Sequence, residues 1–68
     1  MTNVELLKKK VSESGMKNTF IAKSLGISRT SWYNKLNGES MFTAVEIQKL
    51  CDTLHITSLR EKEDIFFA

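Results

Sequence analysis

Eighteen residues in the middle of the chain constrain its fold most: Ile21-Ala22-x-x-Leu25-Gly26-Ile27-Ser28-Arg29-x-x-Trp32-x-x-x-Leu36-Asn37-Gly38. Ile21 pairs with Leu25, and Trp32 with Leu36, at the i, i+4 spacing of one helix face, so two short amphipathic helices flank Gly26. A sharp reversal between them wants φ > 0, which glycine adopts without strain. Helices joined this tightly pack at a steep angle, and Ala22 is small where the second approaches closely. Trp32 and Leu36 are expected to clamp the pair to the rest of the core, with Ile27 as a buried plug in the turn.

The other elements follow from caps and periodicity. Proline is absent and no repeat or low-complexity tract occurs, so glycines and cap residues punctuate the chain. Thr2 with Glu5 reads as a capping box, with Met1 placed to staple to Leu6. Val4, Leu7 and Val11 then predict a helix over residues 3–14, stopped by Gly15. Asn18 is positioned to cap a second helix from about Thr19 to Leu25, and Ser28 a third running to about Asn37, ended by Gly38. Thr43 with Glu46 forms another box, with Phe42 and Ile47 at the staple positions. Ile47, Leu50, Cys51 and Leu54 make the inward stripe of that fourth helix. Ser58 with Glu61 offers a third box, opening a short fifth helix that bears Leu59 and leads into Ile65-Phe66-Phe67-Ala68. No stretch alternates with period two, so the expectation is an all-α chain of five helices.

Sixty-eight residues predict a single domain, 1–68, with a thin core, since a chain this short buries only roughly 60% of its unfolded surface. Cys51 is the only cysteine, and a lone thiol fits a reducing, cytoplasmic setting. No apolar run approaches the ~18 residues of a membrane span, and no charged-then-apolar leader is evident.

Net charge is only +2, but its distribution is uneven. Between Lys8 and Gly38 seven basic residues stand against one acid, Glu13; elsewhere three basic residues stand against seven acids. Such polarity suits a polyanionic partner, while the blander reading is that lysines merely solvate helix faces. With Trp32 at the inward centre of the third helix, a rotation of about 100° per residue keeps Leu36 inward and turns Thr30, Tyr33, Asn34 and Asn37 outward. Arg29 lies on the shoulder of the first turn. The outward stripe is polar and carries no acid, which fits a DNA major groove about 12 Å wide. Arg29 can donate a bidentate pair to guanine O6 and N7, Asn34 matches adenine N6 and N7, and Thr30 offers a hydroxyl and a methyl. Tyr33 either stacks on a sugar, bonds a phosphate or packs over a neighbour.

Together these residues resemble the phage repressor and Cro family of five-helix DNA-binding domains, from Val4 to about Leu59. The likeness rests on the spacing from Ala22 to Gly26, the Ser28 cap, the Asn37-Gly38 end and the following helix opened by Thr43. It implies a helix-turn-helix over 18–38, a recognition helix over 28–37, and base reading at Arg29, Thr30 and Asn34. Asn37, Gly38 and Ser40 occupy the loop that forms a phosphate clamp in this family. Helix N-termini at Asn18 and Ser28 aim N–H groups at phosphate, and Lys17, Lys23 and Lys35 add charge. The length resembles stand-alone Cro-type members. The implied partner is double-stranded DNA with a pseudo-palindromic operator, bound by a homodimer whose half-sites lie about 34 Å apart; the implied role is transcriptional regulation in a phage or prophage. One position departs from the pattern. The family usually carries a glutamine where Asn18 stands, bonding a phosphate and bracing the recognition helix. Asn18, one methylene shorter, either makes that contact at closer approach or is simply a cap, with the bracing lost.

Other chemistries find little support. Base stacking by Trp32 is outweighed by its pairing with Leu36 on the inner side. His55 has no second histidine and no cysteine at ligand spacing, so it reads as a helix C-terminal residue favoured by the dipole and no metal site is expected. Cys51 reads as a small buried hydrophobe. Glu61, Glu63 and Asp64 read as surface charge, and no enzyme, cofactor or small-molecule substrate is expected. Phe66 is expected to close the core over the first helix, leaving Phe67 either half exposed or in a dimer contact. The acids from Asp52 to Asp64 motivate one alternative, a protein-interaction module of the same fold, antitoxin-like or an anti-repressor partner.

Overall fold

The computed structural model describes residues 2–67, which form five helices and no strand. They are α1 (Val4–Ser14), α2 (Asn18–Leu25), α3 (Arg29–Leu36), α4 (Ala44–Thr53) and α5 (Leu59–Phe66). α2 packs against both α3 and α4, and α1 packs on α3 and α5. The two ends of the chain meet, because the Asn3 N–H donates to the Ile65 carbonyl.

Four helices open on a side-chain cap. Ser28 accepts from Ser31 N–H at 3.1 Å, and Thr43 and Glu46 complete the reciprocal box at 3.2 and 2.8 Å. Ser58 supplies its half of a box to Glu61 N–H at 3.4 Å, while the Glu61 carboxylate turns to Lys10 of α1, 3.4 Å away. At α1 the cap is Asn3, whose Oδ1 accepts from Leu6 N–H at 3.1 Å, and not Thr2 with Glu5. The helix therefore starts at Val4; the Met1 to Leu6 staple lies outside the described residues. α2 is the exception: Lys17 holds its N-cap position and makes no side-chain cap bond. Asn18, expected as that cap, is instead the first helical residue, and its side chain has a distant partner described below.

Three helix ends share one device. After α2, Gly26 sits in the left-handed region (φ 73°), its N–H bonds Lys23, and Ile27 N–H reaches back to Ala22 at 3.1 Å. These paired backward bonds are the Schellman motif. They recur after α3, where Gly38 (φ 82°) bonds Lys35 and Glu39 bonds Asn34. Gly38 is doubly constrained, since a Cβ there would meet Val4 Cγ2 of α1 at 3.0 Å. After α4 the same bonds form from His55 and Ile56, but His55 takes the left-handed position (φ 58°) without being glycine. His55 thus stands beyond the helix in a strained conformation, and is not simply a C-terminal residue placed by the dipole.

The core is continuous: Leu7 and Val11 of α1, Ile21, Ala22 and Leu25 of α2, Trp32 and Leu36 of α3, Leu50 and Cys51 of α4, Ile65 and Phe66 of α5, with Phe42 and Ile56 from loops. Phe42 links the aromatics, its ring centroid 6.1 Å from Trp32 and 5.7 Å, edge-on, from Phe66. Phe66 is buried and Phe67 exposed, the division expected for adjacent residues at a helix end. Cys51 is buried, and burial pushes its thiol pKa up. Ile27 is only partly buried against the core, because the turn that carries it is open to solvent on one side.

A polar knot fastens the end of α3 to the start of α4. Lys35 Nζ donates to Glu46 Oε1 and to the Met41 carbonyl, both at 2.8 Å, and stands 5.8 Å from the Phe42 ring centroid. The Lys35 and Glu46 side chains are each only 13% exposed. Lys35 beside it, with the Thr43 N–H, holds the Glu46 carboxyl below its ordinary pKa.

Two stability measurements follow. Replacing His55 with glycine relieves the left-handed strain, less the added chain entropy, and raises unfolding free energy by about 0.5–1 kcal/mol in urea titrations. Glu46→Gln leaves a neutral acceptor and costs about 1–2 kcal/mol at neutral pH. Because the folded pKa of Glu46 is depressed, its contribution is fully present above the ordinary value of 4.5 and is lost as pH falls through the lowered one. The gap between native and Glu46→Gln proteins therefore narrows in acid; a gap that stays constant with pH contradicts this assignment.

Candidate nucleic-acid interface

α3 carries two unlike faces because its apolar residues, Trp32 and Leu36, share one side and are anchored there. The opposite side is left to solvent. Arg29, Thr30 and Tyr33 are exposed, and Asn34 is half buried. Among the described residues no acid pairs with Arg29, and the Asn34 side chain has no hydrogen-bond partner. The Asn34 carbonyl, in contrast, accepts from the N–H groups of Glu39 and Ser40, at 2.8 and 3.3 Å, which folds the loop back onto the helix end. Asn37, Gly38 and Ser40 are exposed on that loop. Arg29, Thr30 and Asn34, expected to read bases, thus share one helix with the undecided Tyr33, with the expected clamp loop at its C-terminal end.

The residues expected to hold phosphate divide. Lys17 and Lys23 are exposed and, among the described residues, without an acidic partner. The first turn of α2, lacking a side-chain cap, leaves backbone N–H groups without an intrahelical acceptor. The Ser28 hydroxyl caps α3 and meets the Ser31 hydroxyl at 3.1 Å, so only the exposed backbone around it is available. Lys35 does not stand with the exposed cations. On a helical projection it lies about 60° from Trp32, nearer the buried side than the outward stripe, and Glu46 and the Met41 carbonyl hold its ammonium there.

Asn18 answers the question its shortness raised. Its Oδ1 accepts from the Trp32 indole Nε1–H at 2.9 Å, joining the first residue of α2 to the buried centre of α3. Bracing between the two helices is kept, with the indole in place of a longer side chain. Asn18 also borders a shallow depression of about 430 Å³ with Lys8, Ser12 and Gly15. Sequence reasoning passed over Lys8 and Ser12 here, although Lys8 opens the Lys8-Lys9-Lys10 run that suggested polarity. It also passed over Phe20, 54% exposed on α2 and one position off the inward stripe.

A second depression, about 670 Å³, lies beyond the loop and is lined mainly by apolar residues, among them Val4, Met41, Phe42, Ile47, Phe66 and Phe67. Among the described residues no cluster of His, Cys, Asp or Glu is arranged to hold a metal ion. No helix among them is long and apolar enough to cross a membrane.

A family model described as a Cro/C1-type HTH DNA-binding domain matches residues 6–59. No curated protein and no solved structure matches the chain. The matched span runs from α1 to the first residue of α5 and takes in the whole glycine-turned pair. The chain belongs to the Cro/C1-type helix-turn-helix DNA-binding domains.

Proposed function

We propose that the protein is a sequence-specific transcriptional regulator of the phage or prophage repressor and Cro kind, acting in the cytoplasm as one domain without cofactor. Residues 28–37 enter the major groove of a pseudo-palindromic operator, bound by a homodimer. The observation that carries the reading is the outward face of α3, exposed and free of acids, on a helix whose other side is anchored by the fully buried Trp32. Arg29 donates to guanine, Asn34 pairs with adenine, Thr30 touches thymine or a neighbouring base, and Tyr33 covers sugar or phosphate. Lys17, Lys23, the Asn18 amide and the backbone at Ser28, Asn37, Gly38 and Ser40 position the duplex without reading it. Exposed Phe67 and Met41, on the rim of the larger depression, supply the apolar surface for self-association.

The alternative, a protein-interaction module of antitoxin or anti-repressor kind, draws on the exposed acids Asp52, Glu63 and Asp64 of α4 and α5. It predicts no binding to random-sequence DNA at micromolar protein and low salt.

Arg29→Ala is expected to cost about 1–3 kcal/mol of operator affinity and to relax specificity at one base pair. Lys23→Ala weakens binding to all sequences alike and flattens the slope of log K against log salt by about 0.9. Affinity unchanged in both variants, measured by fluorescence anisotropy, contradicts the assignment. Selection of bound duplexes from a random pool should return a two-fold repeat; a single unrepeated site rules out the homodimer.

A further inference from the structure

We propose that Trp32 is a positioning residue for the DNA backbone: by holding Asn18 Oδ1 from behind, its indole N–H turns the Asn18 amide nitrogen outward as a fixed phosphate donor. The proposal rests on the reading above that the Asn18 amide meets phosphate.

An indole nitrogen can only donate, so the amide group facing it presents its oxygen. The 2.9 Å bond from Nε1 to Oδ1 therefore also sets the opposite end of the amide, where Nδ2 carries two hydrogens. An unrestrained asparagine turns freely and offers a phosphate either a donor or a repelling carbonyl oxygen; a held one offers donors alone. Trp32 can serve as the fixed point because it is fully buried and packed against Phe42. Asn18 opens α2, where no side chain caps the first turn, so its nitrogen adds to backbone donors already present. The same ring fixes the face of α3, so backbone contact and base-reading face are referenced to a single rigid side chain. A simpler role, in which Asn18 merely satisfies the indole, predicts a different result.

The 68-residue chain is short enough for chemical synthesis, which allows Trp32→β-(3-benzothienyl)alanine, with sulfur replacing the N–H in a ring of nearly the same shape. Binding to a random-sequence duplex is expected to weaken about tenfold in Asn18→Ala and about three- to tenfold in the ring analogue. Combining the two adds nothing further, because both remove one unit. Asn18→Asp keeps the acceptor for Trp32 but replaces the donor by an anion. It binds at least as weakly as Asn18→Ala, while the lone indole N–H resonance stays protected from exchange. If the analogue binds like the native protein while Asn18→Ala is weak, the role of Trp32 is overturned and the Asn18 contact stands. A loss that persists in full on the Asn18→Ala background also overturns it, as a general structural effect. Native-like binding by both Asn18→Ala and Asn18→Asp removes the phosphate contact itself, and the proposal with it. If the analogue does not fold, indole N–H exchange in the native protein decides: DNA slows it if the amide is clamped, and unchanged exchange overturns the proposal.

Discussion

A buried indole brings one polar atom into the core, and that atom needs an acceptor. Here the acceptor is Asn18 Oδ1, at 2.9 Å, on the first residue of the preceding helix. One bond thus satisfies the buried indole and ties the first residue of α2 to the centre of α3, whose facing is set by the burial of Trp32 and Leu36. The ring continues the constraint through Phe42 to Phe66, so the loop before α4 and the end of α5 refer to the same centre. In a chain of 68 residues, where little apolar surface can be buried, this economy matters more than in a larger domain.

The far end of α3 is held by different means. Lys35 reaches Glu46 and the Met41 carbonyl, and Gly38 lies against Val4 too closely for a side chain. With both ends fixed, the outward face of α3 stays exposed, and its hydrogen-bonding groups are the ones proposed to meet DNA. The cations divide in the same way. Among the described residues, Lys10 and Lys35 pair with Glu61 and Glu46, while Lys17, Lys23 and Arg29 stay exposed without an acidic partner. The polarity visible in the sequence therefore survives folding in reduced form; among the described residues its unpaired part lies on α1 (Lys8, Lys9), around α2 (Lys17, Lys23) and on α3 (Arg29).

Much of the fold was legible because its signals are local. Ser28, Thr43 and Ser58 cap through bonds three residues away, and Gly26 and Gly38 answer to their own backbone angles. Reading failed where a local signal had two candidates or a distant competitor. Thr2 and Asn3 are adjacent cap residues, and sequence does not rank them. Asn18 looks like a cap until Trp32, fourteen positions on, claims its oxygen. Lys35 looked like one more phosphate-facing cation, because its partner Glu46 belongs to another helix, eleven positions on. The outward positions of Arg29, Thr30 and Tyr33 followed from Trp32 alone, since a fully buried residue determines its helix's opposite face.

Chemical-shift mapping of the full chain by NMR, titrated with a duplex recovered from selection, tests the central claim most directly. The account predicts that the largest changes fall on the first turn of α2, on Arg29, Thr30, Tyr33 and Asn34 of α3, and on the loop from Asn37 to Ser40. Changes concentrated instead on Asp52, Glu63 and Asp64 of α4 and α5, with α3 unmoved, would contradict it.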